Sequence, residues 1–103
     1  MSELLVGWTT CGDADAAHRL ARDLVESDFA ACVQIDDAIH SFSKFNGDLQ
    51  SDLEYRIWFK FSSGNLEAIS SYFDTNHPYG TPQWVVVTAG AVSDKYLKWA
   101  LEG

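Results

Sequence analysis

Apolar and polar residues recur along this chain in two alternating periods, and the switches between them mark its elements. Glu3 to Thr10 is a short apolar run rich in strand formers, closed by Gly12. Asp13 then offers a helix N-cap. Ala17, Leu20, Ala21, Leu24 and Val25 repeat at helical spacing behind it, opposite Arg19, Arg22, Asp23 and Glu26. Ala30 to Phe45 reads as extended, with Asp36-Asp37 marking a bulge or bend rather than a break. Asn46-Gly47 is a strong hairpin signal. From Leu53 to Phe61 the period is two, with Tyr55, Ile57, Phe59 and Phe61 on one face. Glu54, Arg56, Trp58 and Lys60 take the other, and a tryptophan among charges implies that this face is covered too. Ser62 to Asn65 reads as a loop and helix cap, and Leu66, Ile69, Tyr72 and Phe73 give a second amphipathic helix over residues 66–76. Trp84 to Thr88 forms a fourth strand, and Ser93 is placed to cap a short last helix carrying Tyr96, Leu97 and Trp99.

The order strand, helix, strand, strand, helix, strand, with a terminal helix, predicts an α+β fold. It is the ferredoxin-like split βαβ plan, with a long hairpin between the second and third strands. The whole of residues 1–103 reads as a single domain. In that plan the sheet is antiparallel in the order 4-1-3-2. The carboxyl end of strand one then lies beside the start of strand four, the end of the second helix and the side towards which the hairpin points. Cys11 and His77 should therefore approach one another.

His77 belongs to the most constrained stretch of the chain, His77-Pro78-Tyr79-Gly80-Thr81-Pro82-Gln83. Both prolines of the sequence fall in it, and each pushes the residue before it towards extended geometry. A thiol and an imidazole brought together admit a metal site, since both are favoured ligands of copper and zinc. They also admit a nucleophilic Cys-His pair, or a small buried thiol beside a helix stop. The sequence offers no third residue to orient His77 and no glycine-rich oxyanion loop beyond Gly12, so no enzymatic activity is expected. His18 reads as a surface residue, His40 as a mid-strand residue and Cys32 as core.

Composition narrows the partners. The net charge of −8, from 15 acidic and 7 basic residues, argues against a nucleic-acid backbone as ligand. No signal-like segment opens the chain and no run approaches a membrane span, so a cytoplasmic protein with reduced cysteines is expected. Four tryptophans, four tyrosines and six phenylalanines in 103 residues exceed what one small core needs, which points to a partner chain.

An ordered set of motifs across the chain resembles the CutA divalent-cation tolerance family. It comprises Thr9-Thr10-Cys11, Leu24-Val25-Glu26, Ala30-Ala31-Cys32-Val33, Gly47, Glu54, Lys60, His77-Pro78-Tyr79, Thr81-Pro82, and Tyr96-Leu97 with Trp99. The resemblance implies a ferredoxin-like homotrimer with strands pairing between subunits, no firm enzymatic activity, and tolerance to copper or other divalent cations. It also implies metal binding at Cys11 and His77. Departures from the family pattern are Gly12 and Asp13 after the cysteine, Gln34, Ser43 and Phe45, and Gly80 and Gln83 where carboxylates are common. Two other functions fit a trimer of this plan. One is a regulator resembling the PII signalling proteins, with a small molecule in subunit clefts. The other is an assembly surface for a partner protein.

Overall fold

The computed structural model of the protein describes residues 3–102. Along it run β1 (Leu4–Cys11), α1 (Ala14–Glu26), β2 (Cys32–Ile35), β3 (Ile39–Phe45), β4 (Asp48–Ser62), a 3-10 turn (Ser63–Asn65), α2 (Leu66–Asn76), β5 (Val85–Thr88) and α3 (Asp94–Glu102). All strand pairs are antiparallel. The order is β2-β4-β1-β5, and β3 pairs with β4 beyond the end of β2. With β2 and β3 taken as halves of one strand, this is the 4-1-3-2 order expected from the sequence.

The two halves separate at the paired aspartates. Across the ladder, Asp36 to Ala38 face only Tyr55 and Arg56, so the register steps by one residue between β2 and β3. The bend is therefore present, but the expectation that it leaves the strand unbroken is corrected: β2 ends at Ile35 and β3 begins only at Ile39. Asp36 holds it in place. Its N–H donates to the Arg56 carbonyl at 2.9 Å, and its carboxylate accepts from Arg56 Nε at 2.8 Å and Trp58 Nε1 at 2.9 Å. These two donors keep the Asp36 carboxyl below the usual range. β4 is longer than the alternating pattern indicated, because its first residues continue the hairpin arm. At the tip, Asn46 (φ 53°) and Gly47 (φ 83°) supply the positive φ pair of a two-residue turn.

One face of the sheet carries the core. Leu20 and Leu24 of α1 and Ile69 and Phe73 of α2 close over Leu5, Cys11, Ile57, Phe59 and Phe61. Trp84, expected as the first residue of the last strand, instead turns under the sheet. It stacks on Phe59 at 5.4 Å, meets Phe73 edge-on at 4.9 Å and donates from Nε1 to Ser70 Oγ at 3.0 Å. Gly7 makes room for it: a β-carbon there would lie 2.7 Å from the indole ring.

The other face is partly covered by local partners, while Val85 and Val87 on it stay exposed. α3 packs across β4 and β1. Trp58 is flanked by the Trp8 ring at 4.9 Å and the Arg56 guanidinium at 4.8 Å. Cys32 departs from the sequence reading. It stands opposite Lys60, on the face away from the main core, half-buried beside Tyr96. Asn65 departs as well. Its side chain does not cap α2 but donates to the carbonyls of Asp28 and Phe29, tying α2 to the end of α1.

Candidate functional site

The carboxyl end of β1 is where the chain concentrates its chemistry. Asp13 leaves the strand in extended geometry and its carboxylate accepts from the Ala16 N–H at 3.1 Å, starting α1 as the sequence indicated. Cys11, just before it, is fully buried, and its thiol lies 3.7 Å from the Asp13 carbonyl. Burial raises the thiol pKa, and the charges of Asp13 and Glu54 act in the same direction, so the group is protonated at neutral pH.

His77 reaches the same place from the opposite side. Pro78 forces it extended (φ −73°, ψ 136°), which stops α2 at Asn76. Arg19 of α1 donates to the Asn76 carbonyl at 3.3 Å, fastening that helix end. The imidazole enters the sheet edge and its Nε2 lies 2.9 Å from Thr9 Oγ1. Cys11 is two residues further on the same face of β1, roughly 7 Å along the strand. The expectation that His77 lacks an orienting group is corrected here. The Tyr79 N–H donates to His77 Nδ1 at 3.1 Å. A backbone N–H can only donate, so Nδ1 carries no proton and the neutral ring holds its proton on Nε2, donating towards Thr9.

The third member is Tyr79. Its hydroxyl donates to Glu54 Oε2 at 2.8 Å, and its ring lies 5.3 Å from that of His77. Burial raises the phenol pKa, and the Glu54 carboxylate adds to this. A β-carbon at Gly12 would sit 3.1 Å from the Tyr79 oxygen, so the glycine lets the phenol close over the end of β1. Thr9 and Glu54 are the functional partners that sequence reasoning did not assign. Thr9 carried a signal, being two residues from Cys11 on one strand face.

As arranged, thiol and imidazole do not form an open ligand pair. Both His77 nitrogens are engaged, the thiol is protonated and sealed, and among the described residues no three His, Cys, Asp or Glu side chains gather to hold a metal ion. His18 and His40 are exposed and take no part.

Burial lowers the His77 pKa below the ordinary value of about 6.5, against the Thr10 carbonyl and the Glu54 charge, which favour the cation. The sign follows from linkage. A depressed folded-state pKa contributes stability above the unfolded value, and that contribution is lost as pH falls through the folded value. Between about pH 8 and about pH 5 the urea midpoint should drop, and His77→Asn should shrink that drop. An equal drop in both proteins would show that His77 is not the group responsible.

The profile of the family described as CutA1 divalent ion tolerance protein matches residues 5–103. The chain belongs to this family. Within the CutA1 family it is 33% identical over 95 residues to Arabidopsis thaliana "Protein CutA, chloroplastic", covering 92% of this chain and 52% of that protein. The chain spans between 52% and 64% of the length of several curated relatives it matches. CutA1 from a psychrotrophic Shewanella superposes with a TM-score of 0.91 at 35% identity, over 95% of this chain and 92% of that one. The protein described as periplasmic divalent cation tolerance protein CutA from Archaeoglobus fulgidus does so at 0.89 and 25% identity, over 94% of each chain. The mixed α+β fold, one antiparallel sheet with three helices among the described residues, is the fold of these CutA1 structures. No described helix is long and apolar enough to cross a membrane.

Proposed function

We propose that this chain works in divalent-cation tolerance as the ferredoxin-like subunit of a cytoplasmic homotrimer, with copper as the cation and Cys11 and His77 as its contacts. The observation that carries this reading is that the His77 imidazole bonds to Thr9, two residues before Cys11 on one face of β1, in a chain of the divalent ion tolerance family. That pair of donors favours soft and borderline cations over magnesium or calcium. The closed arrangement means that contact requires the His77 turn to open, since the Nε2 proton and the Thr9 bond occupy the ring.

A non-catalytic role is supported in the closed arrangement, where neither imidazole nitrogen is free to take a proton from the thiol. Trimer formation is supported by the hairpin arm, where Phe42 (68%), Phe45 (68%), Leu49 (70%) and Leu53 (56%) are exposed. Apolar side chains of that size on two adjoining strands are an aggregation hazard unless another chain covers them. Relatives named chloroplastic and periplasmic occur, so the family carries no single compartment; two free cysteines agree with the cytoplasmic reading.

The test is calorimetric titration of the reduced protein with copper in both oxidation states, repeated on Cys11→Ser and His77→Ala. Saturable binding weakened at least about tenfold in each variant is expected, since each removes one donor of the site. Binding indifferent to both substitutions would overturn the assignment of these residues.

A further inference from the structure

The His77 turn is held to the sheet at two points, and they differ in kind. His77 bonds inward to Thr9, within the buried layer, while Tyr79 bonds outward to Glu54 at the root of the hairpin arm. Between them the chain folds over Gly12, next to the fully buried Cys11. The Tyr79–Glu54 pair lines a groove of about 590 Å³ along the hairpin arm, together with Phe42 and Phe45, the aromatics assigned above to a subunit contact, and with Gln50 and Gln83. Gly80, following Tyr79, is exposed, and apart from its chain neighbours no atom lies within 4 Å of where its β-carbon would stand.

We propose that the Tyr79–Glu54 hydrogen bond is a latch that governs access to the Cys11 thiol and the His77 ring. With the phenol held on Glu54, its oxygen stands beside Gly12 at the end of β1 and the neighbouring thiol stays shut in. When that bond opens, the Pro78–Gly80 segment, exposed at Pro78 and Gly80 and half-buried at Tyr79, swings away from the sheet edge, and solvent reaches the end of β1 past the exposed Gly12. Tyr79 and Glu54 are positioning residues in this scheme. They set how often the site is open and do not supply a ligand. As a statement about cation entry the latch rests on the function proposed above; as a statement about thiol access it does not.

The experiment reads the thiol directly, without metal. In a Cys32→Ser background only Cys11 remains to react with an aromatic disulfide reagent under native conditions. Tyr79→Phe and Glu54→Gln each weaken one carboxylate-assisted bond, and each should speed modification roughly tenfold or more. Tyr72→Phe is the control. It removes a similar phenol–carboxylate bond, from Tyr72 to Asp23, on a different part of the molecule. It should leave the rate unchanged, and thermal midpoints of all variants identify any general loosening. Unchanged rates in Tyr79→Phe and Glu54→Gln, or equal acceleration in Tyr72→Phe, would overturn the latch. A failed copper titration alongside accelerated thiol reaction would remove the metal reading and keep the latch.

Discussion

Replacing Phe59 with alanine is expected to lower the unfolding free energy by about 3–5 kcal/mol, a large part of the 5–15 kcal/mol typical of a domain. Phe59 sits on β4, one of the strands that pair on both sides, opposite Gly7 of β1 and Val33 of β2. It is fully buried, and its ring meets Phe61 at 5.5 Å, Trp84 at 5.4 Å and Phe73 at 6.1 Å. Truncation therefore opens a cavity between sheet and helices that no neighbour can fill by rotating a side chain, because each is itself an aromatic held by others. Urea unfolding at fixed protein concentration checks this. A loss below about 1 kcal/mol would mean that the aromatic cluster relaxes into the space.

Gly7→Ala adds one carbon and is expected to cost about 1–3 kcal/mol, the usual range for overpacking a close-packed core. The new β-carbon would stand 2.7 and 2.9 Å from Cζ3 and Cη2 of Trp84 and 3.1 Å from Cε1 of Phe61. Neither ring is the free end of a flexible chain. Trp84 is fixed by stacking on Phe59 and by its bond to Ser70. The cost is thus a property of the pair, and in a Trp84→Leu background Gly7→Ala should cost much less. A double-mutant cycle measures that coupling. Additive costs would place the strain elsewhere.

Both predictions turn on residues the sequence marks unequally. Phe59 is legible, because strict alternation from Tyr55 to Phe61 by itself assigns one face of the strand to the core. Gly7 is not, since a glycine within a strand pattern gives no hint of which ring lies across it. Cys32 misleads for a related reason. The run Ala30-Ala31-Cys32-Val33 is apolar throughout, so periodicity does not say which face each residue takes. Pairing with Lys60 puts Cys32 on the α3 side. The aspartate pair does signal a bend, while its hold on Arg56 and Trp58 depends on β4 running beside it.

At the candidate site the division is similar. His77 out of helical geometry, the N-cap at Asp13 and the shared end of β1 for Cys11 and His77 all follow from local rules plus topology. The protonation state of His77 does not. It depends on a backbone N–H two residues later meeting Nδ1, and on a hydroxyl 68 positions away meeting Nε2.

The order of the elements and the family are legible in residue order, because caps, prolines, the Asn-Gly turn and hydrophobic period act over a few residues. The sealed thiol, the committed imidazole and the bond from the turn to Glu54 exist only once the chain has folded. Those outcomes are set by distances of about 3 Å between groups far apart in the chain, and hydrogen bonding falls off too steeply with distance and angle for residue order to specify them.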